Sequence, residues 1–261
     1  MLYGIMLVYY EDYCVEAVER FEKFLKKIEP GYKLIVVSNN ENICIPNKKC
    51  IPGNNINWEF SGWDEGIKQL EQISNADSFI FCNDTFCFNN PFGVTKEIIM
   101  SLVFKYCYYK NKKKNQLVIS GSTHTFNEEF FVFDNKANIW VSTYLFLVSG
   151  TLLNHLERRL SLSEEQLNKV LEIKNNEDSI RWSGKVSGNL QVHINNWLFP
   201  PEGFGGWYKS RDVSNHIKER KAKAIVNEKY LTAYCLTNKG KYYEINPKKV
   251  VKNILNSFMR K

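Results

Sequence analysis

Short continuous apolar runs alternate along the chain with stretches in which apolar residues recur every three or four positions. YGIMLVYY at 3–10 reads as a buried first strand. Cys14, Val18, Phe21, Leu25 and Ile28 then follow at helical spacing among Glu and Lys, and Pro30-Gly31 ends that helix. Leu34 to Val37 forms a second short strand that closes on Ser38-Asn39-Asn40. Two strands joined by a linker of helical length predict a parallel βαβ start. Residues 41–57, with Pro46, Pro52, Gly53 and many Asn, predict a loop. A helix is expected from about Gly62 to Ser74, with Ile67, Leu70 and Ile73 inward, and the run Phe79 to Cys82 suits a central strand covered on both faces.

The second half carries the same rhythm. A helix is expected over 94–109, through Val94, Ile98, Leu102 and Phe104, with a solvated turn at Lys112 to Lys114. Short strands are expected at 117–120 and 130–133 and a further one at 139–148, leading into a helix with Leu152, Leu153, Leu156 and Leu160. Ser161 and Glu164 fit a capping box for the next helix. Residues 174–189 read as loop, 190–199 as a short apolar segment, and PPEGFGGWY at 200–208 as a turn-rich loop. The tail predicts a basic helical stretch near 211–226, a hairpin near 229–245, and a last helix after Asn246-Pro247, with Asn as cap and Pro at the first helical position.

At 261 residues, 44% hydrophobic and 24% charged, the chain is long enough for one large α/β domain or one domain with an appendage, without disulfides or zinc. Its seven cysteines form no CxxC pair and read as reduced core residues of a cytosolic protein; Cys44 and Cys50 are the two that could pair. The start MLYGIMLVYYEDY lacks the basic head of a secretory leader. No apolar run approaches the roughly 20 residues a membrane-spanning helix needs. Charge is uneven. Residues 209–261 hold 14 Lys and Arg against four acids, a net +10, so that the first 208 residues carry −3 of the chain's total of +7. A basic tail on a near-neutral body points to an anionic partner.

Four stretches carry candidate chemistry. Asn83-Asp84-Thr85 ends the 79–82 strand, and ligands of open α/β sheets sit at strand carboxyl ends. Asp84 there suits a divalent cation bridging a diphosphate, a sugar hydroxyl, or an Asx-turn onto its own backbone. PGNNINWEFSGWDEGI at 52–67 offers Trp and Asn for stacking on, and bonding to, a sugar or base, with Gly62 and Gly66 allowing close backbone approach; a Trp-anchored core turn is the other reading. GSTHTF at 121–126, with Ser122 and His124, and the polar Ser142-Thr143 inside WVSTYLF could line a pocket or bond local backbone. HINNWLFPPEGFGGWY at 193–208, with His193 and Trp197, reads as an acceptor-binding lid or a packed Ω-loop. Walker A, GxGxxG, HExxH and GxSxG patterns are absent.

In order and spacing, SNN closing the second strand, EFSGWDEGI at 59–67 and FIFCNDTF at 79–86 resemble bacterial glycosyltransferases of the GT-A type, in particular the small transferases of lipopolysaccharide O-antigen and capsule assembly related to rhamnan-synthesis proteins. GSTHTF and WVSTYLFLVS are similar to that family's later glycine-serine loop and S-x-Y-F strand, so the resemblance covers roughly residues 3–208. It implies an α/β fold with a GT-A-like, Rossmann-type mixed sheet flanked by helices. Residues 1–208 would form the nucleotide-sugar-binding and catalytic domain, and 209–261 a basic helical and hairpin appendage. The donor would lie across the first four strands, with Asn39 near the base, Trp63 and Asp64 at the donor, and Asn83-Asp84-Thr85 in place of the family's DxD metal motif. Only Asp84 keeps a carboxylate, and one carboxylate binds Mg²⁺ or Mn²⁺ less firmly than two, with the diphosphate supplying further ligands. An inverting transfer also needs a base, for which Glu59, Glu128, Glu129, Asp134 and Asp178 are candidates. Ser122, His124, Ser142, Tyr144, His193 and Trp197 would face a glycan or lipid-linked acceptor. The last helix, with Val250, Val251, Ile254, Leu255, Phe258 and Met259 among lysines, suits an anionic membrane surface, which would place a cytoplasmic protein on the inner face of the cell membrane. Two rival classes are a non-catalytic carbohydrate- or nucleotide-binding protein on the same fold, and nucleic-acid binding through the tail; the second is disfavoured because the tail tyrosines fall in the expected hairpin and no RNA motif is present.

Overall fold

A computed structural model of the chain describes residues 1–89, 92–173 and 179–245. Nine strands and seven helices are defined among them. β1 (Leu2–Val8), β2 (Lys33–Ser38), β3 (Cys50–Pro52) and β4 (Ser78–Asn83) are parallel, as the βαβ start predicts. β6 (Asn135–Ser149) runs antiparallel to β4, β5 (Val118–Val132) antiparallel to β6, and β9 (Lys241–Glu244) parallel to β5. The result is a mixed seven-stranded sheet in the order β3-β2-β1-β4-β6-β5-β9. A separate two-stranded ribbon pairs β7 (Leu171–Glu172) with β8 (Arg181–Trp182).

Helices cover both faces. α1 (Glu11–Ile28) and α3 (Val94–Lys113) share one apolar core with Leu2, Met6, Ile80 and Leu147 of the sheet. α1 has acids in its first turn and lysines in its last, the arrangement that the helix dipole favours. On the other face α2 (Glu59–Lys68), α4 (Gly150–His155) and α7 (Asn215–Thr237) bury Trp63, Ile67, Leu152 and Leu231 against Ile5, Phe81 and Phe146. α5 (Glu164–Asn168) and α6 (Gly188–Leu198) build a third cluster with the outer half of the β5–β6 hairpin.

Several expectations change, among them the loop expected at 41–57, which contains β3, and the helix expected through Leu160, which ends at His155. The polar stretch between 121 and 129 does not interrupt two short strands but continues one long one. β-Branched and aromatic residues keep it extended against β6, and two irregularities in register absorb the mismatch. α2 begins at Glu59 and stops at Lys68, shifted towards the N-terminus relative to the periodic signal. The capping box is Ser163 with Gln166, because the Ser161 hydroxyl is already bonded to Asp64. The hairpin near 229–245 does not form: α7 runs unbroken to Thr237, placing Tyr230 and Tyr234 one turn apart on a helix, and Tyr242 and Tyr243 fall on β9. The last helix and Asp178 lie outside the described residues.

Gly62 and Gly66 do permit close approach, but to the sheet. A Cβ on Gly66 would stand 2.6 Å from Ile5 Cγ2 and 3.0 Å from Val37 Cγ2, and one on Gly62 would meet Leu7. Overpacking at such a contact costs about 1–3 kcal/mol. Gly66→Val is therefore expected to lower the unfolding free energy by that amount, read as a lower urea midpoint with an unchanged denaturant slope.

Candidate functional site at the switch point of the sheet

From β1 the chain moves outward through β2 to β3, whereas β4 lies on the opposite side of β1. The region at the carboxyl ends of β1 and β4 is thus a topological switch point, the place where open α/β sheets bind ligands. Asp84 stands there, 2% exposed, immediately after β4. Its Oδ2 accepts hydrogen bonds from the backbone N–H of Tyr9 at 2.6 Å and of Tyr10 at 2.7 Å, where β1 turns into α1. Burial raises its pKa, the two amides oppose that rise, and Glu59 adds to it. Asp84 therefore bonds across the sheet rather than to its own turn. The local turn is made by Asn83, whose Oδ1 accepts from the Thr85 hydroxyl at 2.8 Å.

Side chains from distant parts of the chain gather around this point. Asn40 at the end of β2 donates to the Tyr9 carbonyl at 3.1 Å. Asn39 donates to the Trp58 carbonyl at 3.5 Å, while its own Oδ1 is buried without a partner. Trp58, at φ 56°, turns the chain into α2. Arg220 and Lys221 of α7 lie 5.4 and 5.3 Å from the centre of the Trp58 ring, within cation–π range. Arg220 also donates to the Asn55 carbonyl, and Lys221 pairs with Glu59 at 3.7 Å. The loop after α6 adds Trp207, 6.2 Å from Trp58, and Lys209, which bonds the hydroxyls of Tyr208 and Tyr10. Burial pulls the Lys209 ammonium down, but the two phenols outweigh it and leave it above its ordinary value.

The pairing of Cys82 with Leu145 puts Ser142, Thr143 and Tyr144 at this same end of the sheet. The Ser122 hydroxyl and the Tyr144 phenol bond at 2.7 Å, and Lys96 lies 5.0 Å from the Tyr144 ring centre. Ser142 is half-buried. Thr143 donates both its N–H and its hydroxyl to Glu228 Oε2, each at 2.9 Å. Glu228 pairs with Lys229 at 2.6 Å, and the Lys229 ammonium lies 3.9 Å from the centre of Trp140. Burial pushes the Glu228 carboxyl up, but Lys229 and Thr143 outweigh it, so the acid stays below its ordinary value and ionised. Trp140 in turn stacks on His124 and meets His193 edge-on, and partial enclosure followed by Lys229 lowers the His193 pKa.

The expected site residues thus separate. Asn39, Glu59, Asn83, Asp84 and Thr85 come together at the switch point. Ser122, Ser142 and Tyr144 adjoin it on β5 and β6. His124 and His193 belong to the Trp140 cluster farther out, and Trp197 of α6 stacks on Trp207 of the loop that follows it. Trp63 is a core residue packed among Phe60, Phe81 and Phe146, its indole N–H donating to the Cys82 carbonyl at 2.9 Å. Asp64 is buried, with its carboxylate accepting from the N–H of Leu160 at 2.6 Å and from the N–H and hydroxyl of Ser161. A cavity of about 210 Å³ lined by His155, Arg159, Ser161, Gln166, Tyr230 and Tyr234 adjoins that bond, away from the strand ends. Glu128 is exposed on the outer part of β5, Glu129 pairs with Lys136, and Asp134 lies in the hairpin tip. No motif singled out Tyr9, Tyr10, Lys209, Arg220 or Lys221: the two tyrosines read as the end of the first strand, and the three cations as part of a basic appendage.

The donor atoms here do not make a protein-held site for Mg²⁺ or Mn²⁺. Asp84 Oδ2 is engaged by two amides, Glu59 by Lys221 and Asn83 by Thr85, and among the described residues no three His, Cys, Asp or Glu converge. The positive charge at the crevice comes from Lys209, Arg220 and Lys221.

Asp84→Ala leaves the Tyr9 and Tyr10 amides unpaired and is expected to cost about 1–3 kcal/mol of stability in urea unfolding, with Asp84→Asn costing less because its amide oxygen still accepts. The Asp64 carboxyl is pushed up to about 6 by burial. A folded-state value above the unfolded one favours folding in the protonated form. That contribution is complete below the unfolded value and is lost as pH rises through about 6. Acidification from about pH 7 to 5 is therefore expected to gain the wild type about 1 kcal/mol over Asp64→Asn, read as the difference between their stability–pH curves.

Compared with known proteins, the chain matches no family model, no curated protein and no solved structure.

Proposed function

We propose that the chain is a glycosyltransferase of GT-A type that transfers a sugar from a nucleotide-sugar donor to a hydroxyl of a glycan acceptor. The observation that carries this reading is the gathering of Lys209, Arg220 and Lys221 with Trp58, Tyr9 and Tyr10 over the β1–β4 switch point. A nucleotide sugar needs three things there: a flat surface for its base, hydrogen bonds to fix it, and cations for its diphosphate. Trp58 and the two tyrosines supply aromatic faces, the half-buried Asn39 and Asn40 side chains amide groups, and the three cations the charge.

Transfer breaks the bond between the anomeric carbon and the donor phosphate, and negative charge grows on the departing diphosphate. Cations fixed in place stabilise that charge most effectively where water is excluded. Arg220 is held by the Asn55 carbonyl and Trp58, and Lys221 by Glu59, so both are oriented before the donor arrives. The helix α1 N-terminus, a common phosphate seat, is already filled by the Asp84 carboxylate. In this reading Asp84 shapes the crevice and the basic side chains meet the phosphates. Among the described acids considered as base, Glu59 is the one whose charge reaches Asp84, and we assign it the proton of the attacking hydroxyl. The acceptor then lies towards Ser122, Ser142 and Tyr144.

The test is a thermal-shift and calorimetric screen of UDP, GDP, CDP and TDP without divalent metal. One of them is expected to stabilise the protein, with Arg220→Ala and Lys209→Ala each weakening its binding about tenfold, or about 1.4 kcal/mol. Failure of all four to bind defeats the reading. Binding without turnover of the matching nucleotide sugar favours the non-catalytic module on the same fold.

A further inference from the structure

α3 has two apolar faces. Ile99, Met100, Phe104, Cys107 and Tyr108 are buried against α1 and the sheet. Val94, Ile98, Leu102, Tyr106 and Tyr109 point the other way and are between 46% and 74% exposed. At 100° per residue these five fall on one stripe along the whole helix, and Lys105, Lys112 and Lys113 fall among them. The only acid of α3, Glu97, sits off the stripe and is paired with Lys27 of α1. Lys110 continues the basic border towards β9, where it donates to the phenols of Tyr106 and Tyr243. In sequence, the residues after β9 add five cations and no acid.

We propose that this face of α3 lies on an anionic lipid surface. The stripe combines what such a surface rewards: aliphatic side chains that enter the acyl boundary, phenols at headgroup level, and lysines whose stems lie along the apolar layer while their ammonium groups reach lipid phosphates. A second copy of the chain fits less well, since an antiparallel two-fold contact centred on α3 would set Lys105 near its own equivalent and Lys112 and Lys113 against the apolar start of the partner's stripe. A nucleic acid would meet the lysines but leave Ile98 and Leu102 without an apolar partner. Among the described residues no helix is long and apolar enough to cross a membrane, so the attachment is peripheral. This inference does not depend on the transferase reading.

The experiment is co-sedimentation of the full chain with phosphatidylcholine vesicles, with and without phosphatidylglycerol. The wild type is expected to bind the anionic vesicles, to release with rising salt, and to bind neutral vesicles weakly. The double variant Ile98→Glu, Leu102→Glu changes two exposed positions, so its melting temperature should hold while its partition falls at least about tenfold. A full-length variant with Lys248, Lys249 and Lys252 changed to Gln separates the tail from the stripe and is expected to keep most of the binding. The proposal is overturned if the wild type does not bind anionic vesicles, if the double variant binds as well as the wild type, if the tail variant alone abolishes binding, or if light scattering shows a wild-type dimer that the double variant splits.

Discussion

The bonds from the Tyr9 and Tyr10 amides to the Asp84 carboxylate hold the middle of this molecule together. They join β4 to the start of α1 across the two central parallel strands, at a place where the sheet order reverses. A carboxylate there stabilises the positive end of α1 and satisfies amides that helix geometry leaves unpaired. It also sets what else the crevice can hold. With that anion seat filled from within, the remaining positive charge at the strand ends lies on side chains.

Those side chains come from α7 and from the loop before it. α7 crosses the α2 side of the sheet, and its polar residues are distributed along its length. Arg220 and Lys221 reach the strand ends, Asn227 accepts from the Leu162 amide, Glu228 takes both Thr143 donors, and Thr232 accepts from the Val141 amide. One helix thus fixes the cations and the wing of β6 that borders them. The spacing between the two halves of the crevice is set by a single rigid element.

Much of this architecture was legible in the residues. The runs at 3–10, 34–37 and 79–82 marked three parallel strands, and Asp84 stood out because a carboxylate directly after a buried strand is rarely idle. What escaped was long-range. Trp63 and Trp58 look alike in EFSGWDEGI and its approach, yet the start of α2 at Glu59 sends Trp63 into the core and leaves Trp58 at the mouth. Asp64 looked like a ligand contact, but its carboxylate supports the turn at 160–161, nearly a hundred residues away. The segment 215–237 read as a basic stretch and a hairpin because its apolar positions serve two different cores and blur the helical period.

The reach of α7 also bears on biosynthesis. While residues 1–200 are already outside the ribosome, the parallel half of the sheet can assemble, but the Val141, Thr143 and Leu162 amides still lack their partners and the strand ends lack Arg220 and Lys221. The partners of these amides and the cations at the strand ends therefore arrive late and together, when the segment through Thr237 emerges and docks.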